Sequence, residues 1–156
     1  MAMLSRVADS LFWMGRYLER AEQVARQLEV TRDLLVDAAE TDPQSAAAEW
    51  QATLRALIVP DLPIERLVFD ATELSSLTGC VAQARENARQ VREVIANEMW
   101  EQVNLAHWNL IETRETAADE TSISRILSET LTMTAAWDGL TDASMSRSEA
   151  WIFLKL

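Results

Sequence analysis

The stretch Leu4-Ser5-Arg6-Val7-Ala8-Asp9-Ser10-Leu11-Phe12-Trp13-Met14-Gly15-Arg16-Tyr17-Leu18-Glu19-Arg20-Ala21-Glu22 decides the fold class. Its apolar residues Leu4, Val7, Leu11, Met14, Leu18 and Ala21, followed by Ala25 and Leu28, recur at alternating spacings of three and four. That is the period of an α-helix, and it is sustained for about seven turns. Phe12, Trp13, Tyr17 and Val24 widen the stripe on both flanks, so the helix packs against several neighbours at once. Arg16, Glu19, Arg20 and Glu22 interrupt this apolar surface. A charge left unpaired away from water is expensive, so these side chains need partners. The stretch is therefore either a fold-specifying ion-pair network or a ligand site, and the residues alone leave both readings open.

Outward from this helix, the pattern runs to about Ala39. Asp42-Pro43 gives a stop and a restart, with Pro at a first helical position. A shorter helix follows to about Ile58, carrying Trp50, Leu54 and Leu57. Pro60-Asp61-Leu62-Pro63 is a loop, and a short helix from Ile64 to Phe69 comes next. Thr72 or Ser75 is the expected cap of a second long helix. Its stripe of Leu77, Val81, Ala84, Ala88, Val91 and Ile95 shifts near Asn97 and continues through Met99, Val103, Ala106 and Leu110. Gly79 weakens this helix locally. A further helix starts within Thr121 to Ser124, and Gly139 ends or kinks it. A last helical segment begins near Ser144. No strand pattern is found. The expected class is all-α, a bundle of about five helices, two of them long, in a single domain.

Composition narrows the function classes. The 156 residues include 25 acidic and 14 basic side chains, for a net charge of −11. Such a balance repels a phosphate backbone and an anionic membrane surface, so neither nucleic acid nor a membrane is an expected partner. All but one of the basic residues are Arg, which hints at paired guanidinium forks. Cys80 stands alone, so no intrachain disulfide forms. No signal peptide and no 18-residue apolar run are found, which makes the cytoplasm the expected compartment.

At 100° per residue, Asp9, Arg16, Arg20 and Gln23 share one polar strip of the first helix. Arg85, Arg89 and Arg92 form a strip on the second long helix, with Glu86 and Glu93 alongside, while Asn87 and Glu98 project toward its apolar face. The two strips have the composition to interlock through Arg–carboxylate pairs, or to be solvated faces with local pairs. Ligands for a di-iron site are lacking, because His107 is the single histidine and Asn104 stands three residues before it. Cys80 has no second Cys for zinc. No Gly-x-Ser-x-Gly and no phosphate loop is present, and Cys80 reads as a small core residue. No metal and no cofactor are expected. Trp100 falls opposite Val91 on the back of its helix, which makes it the candidate interface aromatic. Leu4-Ser5-Arg6 before Leu11-Phe12-Trp13-Met14 is echoed by Met145-Ser146-Arg147 before Ile152-Phe153-Leu154-Lys155-Leu156.

Leu4-Ser5-Arg6 and Leu11 to Glu22 resemble the opening of the bacterial alpha-E domain family, named for a Glu-Arg motif that is here Glu19-Arg20. Ala84-Arg85-Glu86-Asn87-Ala88-Arg89, Val91-Arg92-Glu93 and Glu98-Met99-Trp100-Glu101 resemble its second signature block. The resemblance covers roughly the N-terminal half of the family, whose members are about twice this length and repeat the Gly-Arg-Tyr-Leu-Glu-Arg segment. It implies a half-length or truncated relative with an exposed apolar face, and hence a homo-oligomer. It also implies accessory components that work beside ATP-grasp-type ligases and transglutaminase-like proteins, in peptide ligation or modification. The family positions map onto Arg16, Glu19, Arg20, Glu22, Arg85, Asn87, Arg89 and Glu98. Three functions follow as expectations. The first is a non-catalytic helical partner module. The second is an enzyme or enzyme half that binds an anionic substrate at the Arg/Glu cluster. The third is a purely structural self-assembling bundle.

Overall fold

The computed structural model describes residues 5–39, 42–116, 119–145 and 148–156. Leu4, Ser146 and Arg147 of the internal echo lie outside the described residues. The described residues form seven helices and no strand: α1 (Ser5–Ala39), α2 (Pro43–Leu57), α3 (Ile64–Phe69), α4 (Leu77–Gln90), α5 (Asn97–Thr116), α6 (Glu120–Met145) and α7 (Glu149–Lys155).

The helices α1, α4, α5 and α6 close a four-helix ring in which each packs on the next, with α2 and α7 also packed on α1. Directions follow from the core. One apolar cluster joins Ala21–Leu28 of α1 with Leu77–Val81 of α4, Leu110 of α5 and Ile123–Leu127 of α6. The other joins Leu11–Leu18 with Ala84 and Ala88, Met99 and Val103, and Met133 and Trp137. Successive ring helices therefore alternate in direction, the arrangement of an up-and-down bundle. Leu11, Met14, Leu28 and Leu127 are fully buried. Truncating one such Leu to Ala costs about 2–5 kcal/mol.

Local signals fix several helix starts. The Asp42 carboxylate accepts from the amides of Gln44 (3.1 Å) and Ser45 (3.3 Å), with Pro43 at the first helical position. For α4 the cap is Ser76, one residue beyond the expected Ser75. Its Oγ accepts from the Gly79 amide at 2.9 Å and donates to the Asp70 carbonyl at 2.6 Å. Asp119 accepts from the Ser122 amide at 2.8 Å and so starts α6 earlier than Thr121. Ser148 caps α7 through the Trp151 amide at 3.1 Å.

Two expectations are corrected. The apolar pattern from Leu77 to Leu110 is not one long helix, because the chain leaves the helix after Gln90 and reverses through residues 91–96. Val91, Val94 and Ile95 are β-branched, which lowers helix propensity at this point. Val91 and Ile95 bury themselves in the turn with the same spacing as the helical stripe, so the period runs on while the direction changes. Gly139 does not end its helix, which continues to Met145.

Candidate functional site

The candidate residues of α1 find different partners. Arg16 Nη2 pairs with Glu19 Oε1 at 2.6 Å, one turn apart, and Arg26 pairs with Glu22 at 2.6 Å. Such solvent-exposed pairs are worth about 0.3–0.5 kcal/mol each. The Arg16 guanidinium also lies 5.8 Å from the Phe12 ring centroid. Arg20, on the same strip as Arg16, crosses to α2, where its Nη2 donates to the carbonyl oxygen of Leu57, the last residue of that helix. There the chain leaves the helix through Ile58 in the left-handed region (φ 55°), its amide bonded to the Arg55 carbonyl at 3.1 Å. A cation at this position meets the negative end of the helix dipole and a carbonyl that the helix itself leaves unpaired.

The residues of the second block are spent in different ways. Arg89 forms a two-point pair with Glu86, 2.6 and 3.1 Å. Asn87 Nδ2 donates back to the Gln83 carbonyl at 2.9 Å within α4. Glu98 is exposed in the first turn of α5 and does not reach an apolar face. Of the two readings of the Arg/Glu strips, interlock or solvated faces with local pairs, the pairs that form are local, and no Arg–carboxylate pair joins α1 to α4 among the described residues. The side-chain hydrogen bond that joins α1 to α4 is instead Ser10 Oγ to Gln90 Oε1, 3.3 Å. The pairs are local because Arg16, Glu22 and Arg89 each meet an opposite charge one turn away on their own helix.

Among the surface cavities of the described residues are ones of about 250, 410, 320 and 380 Å³, and none of these four is lined by an Arg of α1 together with Arg85 or Arg89. The cavity between α1, α6 and α7 holds Glu19 and Glu22. Its cation, Lys155, is already engaged by Asp138 and by Asp142 at 3.2 Å. Among the described residues no group of three or more His, Cys, Asp or Glu is placed to hold a metal ion. No helix among them is long and apolar enough to cross a membrane.

Cys80 lies buried in the first turn of α4, where burial pushes its thiol up to about 11. A thiol moved from about 9 to about 11 holds about 100-fold less thiolate at pH 8. Native protein is therefore expected to react with a thiol reagent at least about 100-fold more slowly than the urea-unfolded chain. Equal rates would show that Cys80 is accessible and poised as a nucleophile.

What does assemble is a stripe on α5. Trp100, Asn104 and Trp108 recur at every fourth residue, so they share one face. The Arg85 side chain from α4 lies across it. Its Nε donates to Asn104 Oδ1 at 2.8 Å, and its guanidinium carbon is 5.5 Å from the Trp100 ring and 5.8 Å from the Trp108 ring. Arg92, in the turn after α4, approaches Trp100 to 5.1 Å and reaches Asn97 Oδ1 at 3.4 Å. Trp108 is 54% exposed, against a half-buried Trp100. His107 meets Trp108 edge-to-face at 5.2 Å. Burial first, and then the Arg85 charge, push its imidazole below the ordinary value. Trp100 is thus not on the back of a helix that carries Val91. It belongs to α5, packed beneath two guanidiniums of the preceding segment. The sequence marks Arg92 only as part of the Arg85/Arg89 strip and does not mark Asn104 or Trp108 as site residues, although the every-fourth spacing from Trp100 marks the face once α5 is a separate helix.

A family model for Alpha-E, described as a predicted alpha-helical domain with a conserved ER motif, matches residues 3–156. An uncharacterised protein of Mycobacterium bovis is 32% identical to this chain over 117 residues, which is 61% of this chain and 13% of that protein. An uncharacterised protein of Mycobacterium tuberculosis matches with the same identity and coverage. The chain thus corresponds to only 13% of the length of these curated relatives. No solved structure matches the chain at a significant level.

Proposed function

The chain belongs to the Alpha-E family, and from that premise we propose that it is a non-catalytic helical accessory module that docks a partner protein on its α4–α5 face. The resemblance of its two motif blocks points to an ATP-grasp-type peptide ligase or a transglutaminase-like protein as that partner. The observation that carries the reading is the fate of the Arg/Glu residues. Arg16, Glu19, Glu22 and Arg89 are consumed in pairs along their own helices, and Arg20 holds the end of α2. A catalytic role for them requires convergence at a cavity, with an acid or base in reach of one substrate atom.

The stripe of Trp100, Arg85 and Trp108 has the make-up of an interface centre. Tryptophan and arginine are among the side chains that most often dominate binding energy, because they bury large areas and orient hydrogen bonds. Trp108 leaves half of its surface uncovered on an otherwise acidic molecule. Isothermal titration of the purified chain into a purified ATP-grasp-type ligase is expected to give a micromolar complex. Trp108→Ala is expected to weaken it by about tenfold or more, as for a central interface aromatic. Absence of a complex, or a complex indifferent to Trp108→Ala, would refute docking on this face.

A further inference from the structure

We propose that the α4–α5 face is a carboxylate reader, and that its occupant is a short segment of the partner protein carrying two or three Glu or Asp side chains. This inference rests on the docking reading above and gives the docked surface a chemistry.

Two guanidiniums on this face lack a carboxylate. The chain has 25 acidic and 14 basic side chains, and ion pairing of its arginines is common but not general, since Arg20, Arg55 and Arg114 form none among the described residues. Arg16, Arg26, Arg66, Arg89 and Arg125 each pair with an acid within a turn of their own helix. Arg85 and Arg92 form no ion pair among the described residues, although they are brought to the same indole. Glu86 is held by Arg89, although it also feels the Arg85 charge, and Glu101 accepts from Asn97 Nδ2 at 2.6 Å.

Arg85 is also pre-oriented. Its Nε donates to Asn104 and its guanidinium carbon lies near both the Trp100 and the Trp108 ring, and among the described residues its two terminal nitrogens have no hydrogen-bond partner, so they are the donors left for a ligand. That edge matches the two oxygens of a carboxylate, and a held side chain loses little freedom on binding. The indoles keep water from part of the guanidinium surface, which strengthens its attraction for an anion. Arg92 at the other side of Trp100 supplies a second positive charge for a second carboxylate.

The acidic remainder of the molecule sets the length of the ligand. Charges are screened beyond about 8 Å at physiological ionic strength. A few carboxylates over Arg85 and Arg92 therefore sense mainly those two cations. A long polyphosphate would extend across the acidic surface and be repelled.

The test is fluorescence anisotropy of a labelled synthetic peptide, with three Glu spaced by neutral residues, titrated with the full chain. The expected result is binding that weakens at least tenfold between 50 and 300 mM salt and is lost when the three Glu are replaced by Gln. The Arg85→Gln/Arg92→Gln double variant is expected to weaken it at least tenfold. The Arg85→Lys/Arg92→Lys variant keeps the charge but loses the planar fork, and is expected to fall between. The Gln peptide needs no altered protein, so misfolding of a variant does not obscure the answer. Equal binding of the Glu and Gln peptides would overturn the proposal, as would tighter binding of a single-stranded oligonucleotide of the same charge. If the Glu peptide does not bind while a ligase still docks and depends on Trp108, the carboxylate chemistry is wrong and the docking face stands. If neither binds, both readings fall.

Discussion

Gly79→Ala is expected to cost about 3 kcal/mol of stability, the upper end of what overpacking a well-packed site costs. In an ordinary helix interior the same change would gain up to about 1 kcal/mol. The sign reverses here because a Cβ at Gly79 would stand 2.3 Å from the Glu73 carbonyl oxygen and 3.1 Å from both Leu74 Cα and Ser76 Oγ. Two of these three atoms are backbone and cannot rotate away. The third caps α4, and the same hydroxyl holds the Asp70 carbonyl, so relief of the clash breaks the start of the helix. The contrast is Gly139, where a Cβ meets nothing within 4 Å, and Gly139→Ala is expected to stabilise by about 0.5–1 kcal/mol. Urea unfolding of the two variants side by side decides it. A Gly79→Ala protein as stable as the parent would mean that the α3–α4 connection is not packed as described.

Arg20→Ala is expected to destabilise by about 2 kcal/mol, while Glu19→Ala changes stability by less than about 0.5 kcal/mol. The two halves of the Glu-Arg pair differ because their surroundings differ. Glu19 is half exposed and bonded to Arg16 one turn away, where water replaces it easily. Arg20 is partly buried and crosses to the Leu57 carbonyl at the end of α2. Its removal leaves a carbonyl without its charged donor and frees the end of a helix whose Leu54 and Leu57 belong to the core. Arg20→Lys keeps the charge at the helix end but not the reach of the fork, and an intermediate loss is expected. Thermal or urea unfolding monitored by circular dichroism measures all three. Equal effects at positions 19 and 20 would contradict a structural role confined to the Arg.

The spacing of three and four in the first forty residues was enough to read an all-helical bundle, and Asp42-Pro43 marked the start of α2 directly. The reversal at residues 91–96 was hidden for a physical reason. A turn that buries Val91 and Ile95 in register with the stripes of α4 and α5 carries the same period as a continuous helix. That one ambiguity propagated to the candidate site, because Glu98 and Trp100 were placed on the wrong helix and their faces drawn relative to Val91. The helical wheel of α1 placed Arg16 and Arg20 on one strip, as their spacing requires. It held no information on which neighbour lay above each of them, and Arg20 found α2 rather than the second motif block. Gly79 and Gly139 look alike in sequence, and only the approach of the Glu73 carbonyl separates them. The role of Arg85 was legible as a charged residue needing a partner, while its partners Asn104 and Trp108 became visible only once α5 folded back beside α4.

The docking of a partner on α4–α5 is tested most directly by hydrogen exchange on the full chain, with and without a purified ATP-grasp-type ligase. Side-chain contact on this face is expected to slow exchange in the turn at 91–96 and in the first half of α5, with little change in α1. Protection confined to the cavity between α1, α6 and α7, around Glu19 and Glu22, would contradict it and return the Arg/Glu cluster to the centre of function.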